Sequence, residues 1–142
     1  MARVDFYVLK RPGREARLVF ACRLAEKAWR LDNTVHIATA DDATARELDE
    51  LLWTFRDGSF VPHERVAADT EQPDSPVTIA AGPTRLEGRD LLINLDDAVP
   101  PGIDAFPRIA ELVTSDAETR ALGRERFATY RNLGHELETH DV

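Results

Sequence analysis

The chain has 142 residues, 43% of them hydrophobic and 31% charged, the balance of an ordinary soluble domain with apolar material for one core. Its 26 acidic side chains outnumber 18 basic ones, and the formal net charge of -8 sets the molecule's field against nucleic acid and anionic membrane, so any phosphate contact has to be local. A single cysteine, Cys22, excludes an internal disulfide or multi-thiolate site and suits reducing cytosol, while no apolar run approaches the ~20 residues of a bilayer span.

The opening MARVDFYVLK is charged and strand-like where a signal peptide needs an apolar stretch. Val4, Phe6 and Val8 alternate with Tyr7 and Leu9, a short strand covered on both faces. Pro12-Gly13 breaks the chain, and from Arg14 to about Leu31 the residues Leu18, Cys22, Ala25 and Trp29 form one helical stripe. Thr34 to Ala40 is a β-branched run, a buried strand, and Asp41 or Asp42 caps the helix after it, roughly Ala43 to Phe55. That helix buries Leu48, Leu52 and Phe55, with Ala45 and Leu51 at the edges of the arc. Trp53 points well away from it, which leaves two readings: packing against a neighbouring element, or an exposed binding platform.

Arg56 to Pro76 reads as irregular, punctuated by Gly58, Pro62, Pro73 and Pro76. Strands follow at Val77 to Ala81, Leu91 to Leu95 and Ile109 to Val113. Ser115 and Glu118 stand at the spacing of a capping box for a last helix, with Gly134 as its stop. No repeat or low-complexity stretch interrupts the chain. The alternation predicts one α/β domain over residues 1–142, a three-layer Rossmann-like sandwich with a mostly parallel sheet, cytoplasmic and without membrane contact.

Chemistry is sparse. The first strand-to-helix turn, KRPGREAR, has one glycine and neither a dinucleotide fingerprint nor a Walker sequence. Among His36, His63, His135 and His140, the pair in HELETH is five apart, where a zinc-protease helix needs four. His36 and Cys22 read as core residues, and Asp96-Asp97 as a loop cluster. No nucleophile, base and orienting group stand together, so no catalytic site, metal or cofactor is expected. The alternative is a small Rossmann-like nucleotide-binding protein or enzyme using Asp41, Asp42, Asp96 and Asp97 at the carboxyl ends of the strands.

One segment departs from the acidic background. Arg120, Arg124, Arg126 and Arg131 stand against a single acid, Glu125. On a helix Arg120, Arg124, Phe127 and Arg131 share a narrow arc, and Leu122, Thr129, Leu133 and Tyr130 supply the core face. Guanidinium groups around an aromatic ring suit an anionic ligand with an apolar end, such as a peptide carboxyl terminus. A solvated face whose arginines pair with nearby acids is the other reading.

The segments LDELLWTFRDGSFVPH (Leu48 to His63) and LGRERFATYRNLG (Leu122 to Gly134), supported by VDFYVL and DLLINL, resemble the chi-subunit family of bacterial DNA polymerase III, accessory proteins of the clamp loader. The resemblance implies a non-catalytic α/β protein that joins two partners. One is the acidic, phenylalanine-ending C-terminal tail of single-stranded DNA-binding protein. Its site would be Arg124 as the carboxylate-binding arginine, Arg120 as a supporting cation, Phe127 and Trp53 as pocket aromatics, and Val113 as a wall. Where the family commonly has lysine this chain has Ala128, and Arg131 is the candidate to compensate. The other partner is the psi subunit of the clamp loader, met by Phe60 of S-F-V-P-H, with a helicase-like protein as a further candidate at that face. Nucleic acid would be reached only indirectly or weakly.

Overall fold

The computed structural model describes residues 1–142. There are seven strands, β1 (Arg3–Val8), β2 (Val35–Thr39), β3 (His63–Arg65), β4 (Val77–Ala81), β5 (Leu91–Asn94), β6 (Arg108–Val113) and β7 (Glu136–Asp141), with helices α1 (Arg14–Arg30) after β1, α2 (Asp42–Thr54) after β2 and α3 (Ala117–Asn132) after β6. The strands form one sheet in the order β3-β4-β2-β5-β6-β1-β7, and every pairing is parallel. Parallel neighbours need crossovers, and the helices of those crossovers cover the faces. The predicted mostly parallel sandwich is therefore correct in class, and the sheet is wholly parallel. No helix is long and apolar enough to cross a membrane.

α1 and α2 share one face. Leu18, Cys22 and Ala25 of α1 and Leu48 and Leu52 of α2 pack with Ile37, Ile79, Ile93 and Leu112 of the sheet. Each fully buried aliphatic side chain there contributes about 1.5–3 kcal/mol. Asp41 caps α2 as its carboxylate accepts from the Thr44 N–H at 2.7 Å. α1 ends where Asp32 turns to φ 64°, a left-handed position that a short polar side chain tolerates.

α3 lies on the other face, over Val4, Phe6, Ile109 and Val113. The capping box does not form: Asp116, not Ser115, is the N-cap, accepting from the Thr119 N–H and hydroxyl, from the Thr114 hydroxyl and from the Gly13 N–H. These donors hold its carboxyl well below the ordinary aspartate range, the side-chain bonds of Thr114 and Thr119 foremost.

The buried row of α3 also differs from expectation. It consists of Gly123, Arg126 and Tyr130, whereas Leu133 is 60% exposed and Thr129 lies on the solvent side. A Cβ at position 123 would come within 2.8 Å of Val113 Cγ2, so glycine lets the helix settle onto β6. Arg126 Nε donates to Glu111 at 2.8 Å, and Glu111 also accepts from Tyr130 OH at 2.7 Å and Asn94 Nδ2 at 2.8 Å. Burial pushes the Glu111 carboxyl up, against the pull of Arg126 and the other donors. Tyr130 is buried as expected, but a hydrophobicity count cannot find the glycine and the ion pair that complete the face.

Two strands were not predicted. β3 pairs with β4 inside the segment expected to be irregular. β7 follows Gly134 and pairs with β1 at the sheet edge; its sequence ELETHD is largely exposed, so it lacks the apolar alternation of a covered strand.

Candidate functional site

β1, β6 and α3 together build a shallow cleft of about 210 Å³, lined by Phe6, Val8, Val113, Gly123 and Phe127, with Arg120 and Arg124 at its rim. Its walls follow from strand alternation: Phe6 and Val8 point to the α3 side of β1, and Val113 does so on β6. Phe127 is half-buried and packs on Phe6 with ring centroids 5.2 Å apart. Arg120 and Arg124 are exposed, and neither takes part in any ion pair of the structure. The cleft is smaller than the ~300 Å³ at which drug-sized and cofactor pockets begin. It has room for one apolar side chain, with two guanidinium groups free to hold a carboxylate beside it.

The fold brings together Arg120, Arg124, Phe127 and Val113 of the predicted set. It leaves out Arg131, an exposed residue of the last helical turn that does not line the cleft. Arg126, counted with the basic segment, is neutralised in the core by Glu111.

Trp53, expected to be an aromatic of this pocket, lies on α2, across the sheet and toward its β3 edge. The motif SFVPH folds back onto that helix. Its His63 is buried, with Nδ1 2.6 Å from the Val61 carbonyl and Nε2 2.8 Å from the Asp49 carbonyl, which ties β3 to α2. Ser59 Oγ and Arg56 both donate to Glu26 on α1. This anchored loop sets Phe60 beside Trp53, ring centroids 5.5 Å apart, and His63 lies 4.4 Å from the indole. Phe60 is 62% and Trp53 48% exposed, an aromatic patch of the kind found at the centre of protein interfaces. Trp53 thus packs against the neighbouring loop through Phe60 and His63 and keeps about half of its surface exposed.

The other candidates have structural roles. His36 is buried between Thr78, whose hydroxyl lies 2.8 Å from Nδ1, and the ring of Phe106. Burial and the Arg89 charge lower its pKa to about 4. Burial pushes the Cys22 thiol up to about 12, which leaves it an unreactive core residue. Asp41 is a cap, and Asp96 accepts from the Asp97 N–H in a turn. Sequence reasoning missed a cluster of Asp5, Glu138 and His140, whose ligand atoms lie within 4.8 Å of one another, because β7 was unrecognised. Arg3 Nε at 3.2 Å and Arg108 at 3.6 Å already face the Asp5 carboxylate.

Comparison with known proteins decides the family. The family model described as DNA polymerase III chi subunit, HolC, matches residues 1–138. The chain belongs to the DNA polymerase III chi subunit family. Relatives in this family include the DNA polymerase III subunit chi of Pseudomonas aeruginosa, 44% identical over 140 residues that cover 99% of this chain and 96% of the relative. That of Haemophilus influenzae is 35% identical over 139 residues, covering 97% and 96%. Among solved structures the crystal structure of T4 UvsW is similar with a TM-score of 0.69 and 10% identity, covering 99% of this chain and 41% of that one. At that identity the likeness is one of fold alone. Membership in the chi family gives the chain an accessory role in DNA replication, in association with other components of the polymerase assembly. The arginine cleft and the Trp53–Phe60 patch lie on opposite faces of the sheet.

Proposed function

We propose that this chi-family chain links the clamp loader to DNA coated by single-stranded DNA-binding protein, holding the acidic, phenylalanine-ending tail of that protein in the arginine cleft. The observation that carries the reading is the pair of unpaired guanidinium groups over an apolar recess sized for one side chain. Arg124 and Arg120 receive the terminal carboxylate, and Phe127 and Val113 receive the terminal ring. The psi subunit meets the patch of Phe60 and Trp53, so Trp53 belongs to the second surface. The chain contributes no catalytic group; its contribution is avidity, since a weak tail contact is strengthened by the linked assembly.

Fluorescence anisotropy with a labelled acidic peptide ending in phenylalanine tests the tail site. Binding falls as salt rises, because exposed charges are screened over ~8 Å at physiological ionic strength. Arg124→Ala removes most of the binding without unfolding the protein, and wild-type affinity in that variant would retire the site. Capture of psi that is lost in Phe60→Ala and Trp53→Ala, with tail binding intact, tests the second surface.

A further inference from the structure

We propose that the tail cleft continues around the carboxyl end of β1 into a second, cationic groove that takes the acidic residues upstream of the same peptide terminus. The inference rests on the tail reading and extends it from the terminal carboxylate to the rest of the ligand.

The groove lies on the α1 side of the sheet, about 660 Å³ in volume, with Leu9, Val19 and Phe20 as its floor and Lys10, Arg11 and Arg23 along it; Glu15 is the one acidic side chain in its lining. All three cations are exposed, and none is held by a carboxylate. In a chain with a net charge of -8, basic side chains left unpaired around an apolar floor are complementary to an acidic partner with hydrophobic residues.

The two depressions adjoin. Val8 lines the cleft and Leu9 the groove, consecutive residues directed to opposite faces at the end of β1. The segment from Leu9 to Gly13 then runs against the start of α3: Leu9 N–H donates to the Val113 carbonyl at 2.8 Å, Ser115 N–H to the Arg11 carbonyl at 3.1 Å, and Gly13 N–H to Asp116 Oδ1 at 3.2 Å. Lys10 and Arg11 therefore stand at the N-terminal end of α3, whose first turn carries Arg120, with Arg124 one turn further along. A peptide seated by its carboxylate at Arg124 advances ~3.3 Å per extended residue, so a few residues carry its upstream acids past Arg120 to Lys10 and Arg11, and on toward Arg23.

The experiment uses two labelled peptides with the same apolar, phenylalanine-ended tripeptide, one preceded by four aspartates and one not. In Lys10→Glu/Arg11→Glu the long peptide loses about tenfold in affinity and its salt dependence becomes shallower, while the tripeptide binds as to wild type. An unchanged long peptide, or an equal loss for both, overturns the groove. Failure of the wild type to bind either peptide, or indifference of both to Arg124→Ala, overturns the tail reading itself. Circular dichroism checks the fold, with Lys10→Ala/Arg11→Ala and a two- to fivefold loss as the milder variant. An oligothymidine that binds the wild type and is released by the charge reversal, with the long peptide unaffected, assigns the groove to nucleic acid and overturns the proposal.

Discussion

Glu111→Gln isolates the device that holds α3 to the sheet. Glu111 has no exposed surface and accepts from three donors, Arg126 Nε, Tyr130 OH and Asn94 Nδ2. The amide keeps the shape but turns one of its ends into a donor facing donors, and it strips Arg126 of its counter-charge. Arg126 has one other bond, from Nη1 to the Asp97 carbonyl, and its Nη2 has no partner. Removing one member of a buried pair costs about 3–5 kcal/mol, a large part of the ~5–15 kcal/mol stability of a natural domain. In urea, with a slope of about 2 kcal/mol/M, the midpoint drops by roughly 2 M. Glu111→Leu combined with Arg126→Met removes both charges and leaves unmade the bonds of Tyr130 and Asn94 to Glu111 and that of Arg126 to the Asp97 carbonyl, a loss of about 2–3 kcal/mol, so the double variant is more stable than the single one. A single variant within about 1 kcal/mol of wild type, or a double variant as unstable as the single, would refute the assignment of this pair as the anchor of α3.

Gly123→Ala places a methyl group against Val113; its gain in helix propensity of ~1 kcal/mol is outweighed by overpacking of about 1–3 kcal/mol. Val113→Ala in the same chain makes room for the added methyl and restores part of the stability in thermal melts. His36 is neutral in the folded protein with a pKa of about 4 against 6.5 unfolded, so the unfolded chain takes up the proton first. Stability is full above pH 6.5 and falls by roughly 3 kcal/mol down to pH 4; denaturant titrations of His36→Asn show a flatter pH profile in that window. The depressed carboxyl of Asp116 gives a second acid-labile component, present above about pH 4 and lost as pH falls further, which Asp116→Asn removes. Phe60→Asp, at a largely exposed position, shifts stability by no more than ~0.5 kcal/mol, leaves tail binding unchanged, and abolishes psi capture in a pull-down.

The elements with apolar periodicity were legible: α1, α2 and β4 fall within a residue or two of where the pattern puts them. Those that pack through other chemistry were not. β3 is three residues tied down by the bonds of His63, β7 is an edge strand of polar residues, and on the inner face of α3 Tyr130 was legible but the ion pair of Arg126 and the glycine were not. At the cleft, helical arithmetic put Arg120, Arg124 and Phe127 together, but it could not supply the walls from β1 and β6 or count Arg126 as internal. Trp53 shows the limit of position in a motif. It is distant from Phe60 in helical terms and becomes its neighbour only because the chain doubles back through His63.

The cleft opens on one side of the sheet near β7, and the aromatic patch lies on the other side near β3. A ligand that continues round β1 onto the α1 side still lies at the far end of the strand order from the patch at β3, so neither partner crowds or shields the other. Occupancy at one surface should therefore be indifferent to occupancy at the other, and the order of loading immaterial: a coupler of this build transmits position and load, not signals.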